Sequence, residues 1–430
     1  MGERTPVLVA AAGAGWESGV LEALARSRTS VLHKRCVDLP DLLATARTGL
    51  AGAALVDAAL PGLDADSVDL LRRAGVGSLV LAGDPGDRDR LTRLGAVVLH
   101  PDALTAGDVG ALVAQAAHQA AHQADDRADE PPAGSAGATG PAEPRQAAAD
   151  DGRLGRVLVV WGPAGAPGRT TVAVGLAAEL AARAGEVLLL DADPYAGAVA
   201  QHHGVLDDVS GLLAAARLAN AGGLDPTTLA AAARTAADGL RVLTGLPRAD
   251  RWSEVRPAAW AEVLDAAARL AAHVVVDTGF SLEDAGEDLF APAPRRNGTT
   301  LGALERADEV VVVGAADPVG LARLARGLVE LRDVLPSTPL RVVVNRMRPS
   351  LGWSEREVAG MVEGFVGPVP TVFLPDDRPA ADRALMAGRS LVEDGDSPLR
   401  EALAGLAGAV LGQAPAARRG LRSRRAGRAR

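Results

Sequence analysis

The stretch that decides the fold is RVLVVWGPAGAPGRTT, residues Arg156–Thr171. It begins with an apolar run, which predicts a buried strand, and its glycines at positions 162, 165 and 168 predict a turn. An Ala- and Leu-rich helical pattern follows. A strand, a glycine-rich turn and a helix start form the context in which backbone N–H groups hold phosphate groups. Glycine suits such a turn because a Cβ would keep the backbone away from the phosphates.

Two residues of this loop depart from the phosphate-loop pattern G-x-x-x-x-G-K-[ST]. Pro163 stands where the pattern has its first glycine, and Arg169 stands where it has lysine. The loop by itself therefore leaves two interpretations open, a phosphate-binding loop and a plain strand-to-helix turn. The residues at the ends of the later predicted strands distinguish between the two interpretations.

Carboxylates follow two later predicted strands. The strand Glu186–Leu190 leads into Asp191 and Asp193, and the strand His273–Val276 leads into Asp277. Carboxylates at the carboxyl edge of a parallel sheet, next to a phosphate loop, are placed where magnesium or an attacking water would be held. These residues favour the phosphate-loop interpretation.

Two further apolar runs, Glu309–Val313 and Leu340–Val344, complete a set of predicted strands separated by helical stretches. This alternation predicts an α/β fold with one doubly wound, mostly parallel sheet. Its site is expected along the carboxyl edge.

Length and composition limit the class of protein. The chain has 430 residues, enough for two or three domains with apolar cores. A net charge of −9 argues against a basic nucleic-acid coat over the whole chain. Cys36 is the only cysteine, which excludes a disulfide framework or a cysteine-based metal cluster within one chain. The N-terminus has no signal-peptide pattern, so we expect a cytoplasmic protein.

Residues 1–118 predict a separate domain. Four short apolar runs with helical patterns between them indicate a parallel, flavodoxin-like sheet, namely Val7–Ala11, Ala53–Asp57, Ser78–Ala82 and Ala96–Leu99. Asp57, in LVDAALPG, resembles the phosphate-accepting aspartate of response-regulator receiver domains. The receivers' acidic pair after the first strand is replaced here by Ala10-Ala11-Ala12. Phosphoryl transfer needs the metal that this pair holds, so we expect a pseudo-receiver in which Asp57 is a capping carboxylate.

Two segments predict disorder. Residues 119–152 are rich in Ala, Asp, Glu, Gly and Pro without periodicity, which is typical of a linker. Residues 413–430 carry seven arginines between Arg418 and Arg430 and no acid. Such a tail can hold an anionic membrane surface or DNA by charge alone, or it can simply be a solubilising tail.

The segment 153–412 resembles the MinD/ParA group of deviant P-loop ATPases, above all its CpaE-like branch. Five blocks carry the resemblance. Residues 164–171 correspond to the family pattern K-G-G-x-G-[KT]-[TS]-[TS], and Asp191 and Asp193 correspond to its D-x-D. Asp277 stands at the Walker B position, Asn345 lies in VVVNRMRP, and the last block is LPDDRPAADRALMAGRSLVE, residues 374–393. Their order and spacing agree with the family.

The resemblance implies a site for ATP and Mg2+ and a dimer formed face to face over ATP. The implied phosphate contacts are Gly165, Ala166, Pro167, Gly168, Arg169, Thr170 and Thr171. The implied magnesium ligands are Thr170, Asp277 and Asp191. The implied adenine contacts are Asn345, Arg346, Pro375 and Asp376. The implied catalytic residues are Asp193, which would position or activate the attacking water, and Arg169.

Two departures from the family put hydrolysis in question. The family's signature lysine, which reaches the partner's phosphates, is Ala164 here, and its main phosphate lysine is Arg169. A guanidinium is planar and bulkier than an ammonium, so it does not simply replace lysine in the same pocket. Arg295 or Arg296 could compensate as a phosphate-binding or cross-dimer cation, or the two could form a solvated surface pair.

Three functions follow. The first is an ATP-dependent dimer switch that recruits a protein of a pilus, secretion or division apparatus, with pilus assembly as first choice and weak hydrolysis if any. The second is a non-hydrolysing scaffold. The third is a septum-site or chromosome-partition ATPase that uses its tail on DNA or membrane. The expected location is the cytoplasm, including the inner face of the membrane.

Overall fold

The computed structural model of the chain describes residues 4–11, 13–94, 96–102, 109–113, 115–118, 154–165, 167–195, 197–205, 209–284 and 295–413. The predicted linker at 119–152, Ala166 of the loop and the stretch Arg418–Arg430 lie outside the described residues. Predictions for these parts stay predictions. None of the helices within the described ranges is long and apolar enough to span a bilayer.

The first unit is a five-stranded sheet whose neighbouring strands all pair in parallel. Its strands are β1 Thr5–Ala10, β2 Ser30–Arg35, β3 Ala53–Asp57, β4 Gly77–Leu81 and β5 Val97–Leu99, in the order β2-β1-β3-β4-β5. Its helices are α1 Glu17–Arg26, α2 Leu39–Ala46, α3 Ala65–Arg73 and α4 Pro85–Arg93, and residues 109–113 and 115–118 are also helical. Apolar cores on both faces bury β1, β3 and β4.

Strand β2 was missed by the sequence predictions. Its sequence, SVLHKR, has only Ser30 buried and becomes polar toward its end. It lies at the edge of the sheet and pairs with β1 alone. Edge strands tolerate charged side chains because solvent reaches them. The four strands predicted for this unit are confirmed to within two residues at each end.

The second unit is an eight-stranded sheet built around β6 Arg156–Trp161. The other strands are β7 Val187–Ala192, β8 Arg234–Ala237, β9 Leu240–Leu243, β10 His273–Thr278, β11 Glu309–Ala315, β12 Leu340–Met347 and β13 Thr371–Pro375. The order is β13-β12-β11-β6-β10-β7-β9-β8, parallel except between β8 and β9. Connections leave β6 in both directions, which opens a crevice at its carboxyl end.

Helices cover both faces of this sheet. They are α5 Arg169–Ala184, α6 Val199–His202, α7 Gly211–Asn220, α8 Pro226–Ala232, α9 Pro257–Leu270, α10 Gly298–Glu305, α11 Pro318–Val334, α12 Glu355–Val366, α13 Arg378–Ala387, α14 Leu391–Asp394 and α15 Pro398–Val410, with 3-10 turns at Ala249–Glu254 and Pro349–Leu351. Helices α5 and α15 pack on one face, and α7, α9 and α11 pack on the other. Burial on both faces explains why the central strands are continuous Val and Leu runs.

Three strands of this sheet were also missed. Strands β8 and β9 form a short hairpin, and β13 is a half-buried edge strand. Short runs with little apolar contrast give a weak strand signal. The five predicted strands are confirmed, but β7 and β10 continue two residues further than predicted, so Asp191 and Asp277 lie within the strands themselves.

The contacts between the two units include one between α3 and the start of α9. Arg256 Nη1 lies 2.6 Å from Asp64 Oδ2, and the backbone N–H of Ala258 donates to Asp66 Oδ1 at 2.6 Å. Burial raises the pKa of Asp66 to about 6, although Ala258 N–H and Arg256 oppose the shift. Arg256 makes no side-chain cap for its own helix. Asp66 therefore caps a helix that belongs to the other unit.

Candidate functional site

The loop between β6 and α5 has a conformation that requires glycine. Gly165 has φ +112° and Gly168 has φ +97°, a backbone region that side chains disfavour. A Cβ on Gly168 would also lie 2.5 Å from Asn345 Nδ2. Helix α5 starts directly after Gly168, with Thr170 and Thr171 in its first turn. The N–H groups of such a turn lack helical partners and are available to an anion.

The side chain of Arg169 folds back onto its own loop. Nη1 donates to the carbonyl oxygens of Gly162 at 3.1 Å and Pro163 at 3.2 Å, and Nε donates to the carbonyl oxygen of Thr278 at 3.2 Å. Nη2 lies 3.8 Å from Asp193 Oδ2, and only 12% of the arginine side chain is exposed. Arg169 is therefore an internal cation whose donors are directed at acceptors of the protein.

Thr170 and Asp277 form the centre of the site. Thr170 Oγ1 donates to Asp277 Oδ2 at 2.7 Å. The second oxygen, Asp277 Oδ1, is buried and has no hydrogen-bond partner among the described residues. Burial, followed by the charge of Asp191, raises the pKa of Asp277 well above its usual value, while Thr170 and Arg169 oppose the shift. A buried carboxylate oxygen in this state is costly unless a cation or water contacts it.

Asp191 lies beside Asp277 on the adjacent strand but is held by backbone groups. It accepts N–H bonds from Val199 at 3.1 Å and from Asp193 at 3.3 Å. The chain packs tightly on its carboxylate, since a Cβ on Gly197 would lie 2.7 Å from its oxygens. Burial raises the pKa of Asp191 to about 7. These contacts brace the strand end and give no support to the predicted place of Asp191 among the magnesium ligands.

The end of β7 at Asp193 is held by residues that the sequence analysis does not identify. The N–H of Tyr195 donates to Asp193 Oδ1 at 2.9 Å, and the Tyr195 hydroxyl donates to Asn297 Oδ1 at 2.8 Å. Thr299 donates to the carbonyl oxygen of Ala192 at 2.8 Å. One signal was present in the sequence, because Tyr195 is the only tyrosine of the chain. Its partner lies 102 residues away, which no local pattern reveals.

The residues predicted to contact adenine lie at the ends of β12 and β13. Asn345 Nδ2 donates to the carbonyl oxygen of Pro167 at 2.8 Å, and Asn345 Oδ1 accepts the N–H of Arg346. Arg346 has φ +61°, a strain of about 1 kcal/mol for a residue with a side chain. Pro375 ends β13, and Asp376 follows it. The structure thus places this set at the carboxyl edge, where the Asn345 side chain contacts the phosphate loop.

Arg295 and Arg296, the hypothesised compensating cations, lie beside the site. Arg295 Nη1 pairs with Asp284 at 2.8 Å. The guanidinium carbon of Arg296 lies 4.2 Å from the ring centre of Tyr195, whose ring stands 4.9 Å from that of Phe280. Arg295 is thus held by Asp284 and Arg296 by the Tyr195 ring, and neither contact is with the phosphate loop.

The strand-end aspartate of the first unit has different surroundings. Trp16 Nε1 donates to Asp57 Oδ2 at 2.8 Å, and the N–H of Ala59 donates to Asp57 Oδ1 at 2.7 Å. Ala10 and Ala11, which stand where receivers carry their acidic pair, are buried. Both oxygens of Asp57 are therefore engaged as those of a capping carboxylate.

The second unit has few protein ligands for a magnesium ion. The described ranges contain no group of three or more His, Cys, Asp or Glu side chains that could hold a metal ion. Magnesium bound with a nucleotide needs fewer protein ligands, because it keeps waters and takes phosphate oxygens. Thr170 and the partnerless Asp277 oxygen meet this need at the start of α5. The residues present therefore fit a magnesium–nucleotide complex.

No protein-family description matches the chain, and no curated protein sequence matches it either. Solved structures do match. A ParA-family ATPase from Chlorobium tepidum TLS has a TM-score of 0.50 at 18% identity, over 59% of this chain and 98% of its own. The cell-division ATPase MinD of Pyrococcus furiosus has a TM-score of 0.49 at 20% identity, over 60% of this chain and 99% of its own. The septum site-determining protein MinD of Pyrococcus horikoshii, complexed with Mg-ADP, has a TM-score of 0.46 at 19% identity, over 60% of this chain and 96% of its own.

The match to the ParA-family ATPase shows a fold. The covered share of this chain is close to the share made up by residues 154–413. The α/β architecture with a mostly parallel sheet is therefore similar to that of this ParA-family ATPase.

Proposed function

We propose that the chain is an ATP-binding regulator of the MinD/ParA type, with its site at the carboxyl end of β6. One observation carries the proposal. A buried Asp277 oxygen lacks a partner within the described residues, next to the Thr170 hydroxyl and beside a glycine loop that opens a helix. The ParA-like fold supports the proposal, because such sheets bind ligands at this edge.

Each part of the loop has a role in this proposal. Backbone N–H groups between Gly165 and Arg169 hold the phosphates, and Thr171 contacts the α-phosphate. Thr170 and Asp277 hold magnesium, which when bound neutralises the phosphate charge. Asp191 orders the strand end and is left out of the proposed metal ligands.

Two further sets complete the site. Asp193, fixed by Tyr195 and 3.8 Å from Arg169, positions an attacking water. Asn345 and Arg346, with the backbone near Pro375 and Asp376, contact the adenine. Asn345 already joins this set to the loop through Pro167.

We infer that hydrolysis is slow. Phosphoryl transfer is accelerated by cations that contact the transferred phosphate, and Arg169 would first have to leave its carbonyl partners. The same observation favours a second candidate function, a scaffold that binds nucleotide without hydrolysing it. Both candidates share the nucleotide site and differ in turnover.

The cellular role is a further part of the proposal. We infer an ATP-dependent homodimer that recruits a protein of a pilus, secretion or division apparatus, with pilus assembly first, as for CpaE-like proteins. The order β2-β1-β3-β4-β5, typical of flavodoxin-like domains, supports a receiver-like domain at 1–118 ahead of an ATPase domain at 153–412. A septum-site or partition ATPase is the alternative, with Arg418–Arg430 on DNA or an anionic membrane. The proposed place is the cytoplasm or the inner face of the membrane.

Calorimetric titration of the full chain with Mg-ATP tests the nucleotide site. We expect the wild type to bind and Asp277→Ala to bind about 100-fold more weakly, because a charged contact to the nucleotide complex is lost. Asp57→Ala is the matched control, a strand-end aspartate of the other unit, and should bind like the wild type. No binding by the wild type at millimolar Mg-ATP, or equal binding by Asp277→Ala, would overturn the proposal.

Phosphate release by the same samples separates the two candidate functions. Arg169→Lys should release phosphate faster than the wild type, because an ammonium cannot hold three carbonyl oxygens and Asp193 in the same geometry. If both proteins bind Mg-ATP and neither releases phosphate, the scaffold is favoured over the switch.

A further inference from the structure

Two glycines of helix α11 allow close packing, Gly327 against the phosphate loop and Gly320 against the end of β11. A Cβ on Gly327 would lie 3.1 Å from Trp161 Cη2 and 3.2 Å from Pro163 Cβ. A Cβ on Gly320 would lie 2.4 Å from the carbonyl oxygen of Ala315. The helix therefore packs directly on the end of β6 and on the first residues of the loop, and its neighbouring side chains have set positions relative to that loop.

Arg323 lies one turn before Gly327 and reaches the loop. Its Nη1 occupies the space that a side chain on Gly165 would need, only 2.1 Å from that Cβ position. Gly165 is exposed and has φ +112°. The lack of a side chain at this position leaves room for a guanidinium that comes from another element.

Arg323 is a second cation at the loop, and it differs from Arg169 in its partners. Arg169 is held by carbonyl oxygens and by Asp193, whereas Arg323 makes no hydrogen bond or ion pair within the described ranges. Arg323 and Arg326 line a cavity of about 560 Å3 together with Ala164. Acidic residues also line this cavity, namely Glu283, Glu330 and Asp333. None of these acids pairs with Arg323 within the described ranges, so its guanidinium at the loop is available to a ligand of negative charge.

We propose that Arg323 binds the terminal phosphate of the nucleotide held by the same chain and gives the site its preference for a triphosphate over a diphosphate. The inference rests on the proposed nucleotide site. Asn345, part of the adenine set, contacts the Gly168 end of the loop. The other arm of the loop, at Gly165, then faces the far end of the phosphate chain. A guanidinium suits this place because its paired donors match phosphate oxygens.

Calorimetric titrations of the full chain with Mg-ATP and with Mg-ADP test the assignment. Arg323→Ala should weaken Mg-ATP binding about 30-fold and Mg-ADP binding by less than about 3-fold, since only the triphosphate reaches the guanidinium. Arg326→Ala is the matched control. It removes the same charge from the same helix and cavity, but within the described residues the Arg326 side chain bonds only the carbonyl oxygen of Ala322 in its own helix.

A fall in the ATP-to-ADP preference of Arg323→Ala, with Arg326→Ala unchanged, supports the assignment. Equal losses for both nucleotides, no loss, or the same fall in Arg326→Ala would overturn it, while the nucleotide site itself stands as long as the wild type binds Mg-ATP. Failure of the wild type to bind either nucleotide would overturn both. If circular dichroism shows that the alanine variant does not fold, Arg323→Gln gives the same comparison with a side chain of similar length.

Discussion

Asp57 and Asp277 occupy the same kind of place in the two sheets of the molecule, and their surroundings differ. Each lies at the carboxyl end of a buried parallel strand. Both oxygens of Asp57 accept hydrogen bonds, from Trp16 and from the backbone of Ala59. Asp277 accepts one bond, from Thr170, and its second oxygen has no partner in the part of the chain that the structure describes.

The difference teaches that a strand-end carboxylate is not in itself a sign of function. In the first unit, an indole fills the space in front of Asp57 and satisfies it. In the second unit, the Thr170 hydroxyl satisfies one oxygen of Asp277 and the other oxygen stays unsatisfied within the described residues. The chemistry at the carboxyl edge of each sheet depends on the residues that follow a neighbouring strand. Trp16 follows β1 in the first unit, and Thr170 follows β6 in the second.

The largest effect is expected from filling the loop of the second unit. Gly168→Ala should lower the free energy of unfolding by about 4 kcal/mol, because a strained backbone adds to the displacement of Asn345 and the loss of its bond to Pro167. Gly13→Ala, in the β1–α1 loop of the first unit, has φ +83° but no described atom within 4 Å of its Cβ. It should cost only about 1 kcal/mol. Urea denaturation measures both values, and equal costs would show that the contact with Asn345 does not shape the loop.

A smaller effect is expected where the two units meet. The pKa of Asp66 is raised to about 6 by burial, so its contribution to stability is present below pH 4 and is lost as the pH rises through about 6. Relative to Asp66→Asn, the free energy of unfolding of the wild type should therefore fall by about 2 to 3 kcal/mol between pH 4 and pH 7.

Urea denaturation at several pH values, followed by circular dichroism, measures this difference. Asp69→Asn is the matched control, since Asp69 lies on the same helix but pairs with Arg72 and Arg73 of that helix. A pH-independent difference between the wild type and Asp66→Asn would mean that Asp66 is not buried between the units.

The smallest effect is expected from removing the indole donor in front of Asp57. Trp16→Phe keeps most of the ring but loses the hydrogen bond, and should lower the free energy of unfolding by about 1 kcal/mol more than Trp353→Phe does. Trp353 is similarly half-buried, and its Nε1 has no partner within the described ranges. Identical costs for the two variants, measured by urea denaturation, would argue that Trp16 does not satisfy Asp57.

The central strands of both sheets were predictable because burial on both faces requires continuous apolar runs. Strand β6 is the clearest case, with the glycine loop and helix start directly after it. Edge strands such as β2 and β13 were not predictable, since solvent on one side removes the need for apolar residues.

The site was predictable in its outline and not in its contacts. The sequence places Thr170 and Asp277 at the same sheet edge, because parallel strands and their loops bring such residues together. It does not reveal that Arg169 folds onto carbonyl oxygens, that Asp191 is enclosed by backbone, or that Arg323 reaches Gly165. Those facts depend on packing between elements that are distant in the chain.

The cap that Asp66 provides to helix α9 makes the first unit behave as a tethered ligand of the second. Because the two units are on one chain, the effective concentration of one unit at the other is of millimolar order. An affinity between the units that is too weak to join separate proteins would therefore keep them in contact. Helix α9 packs beneath β10, the strand that contains Asp277. A protein that competed for α3 would uncover the first turn of α9.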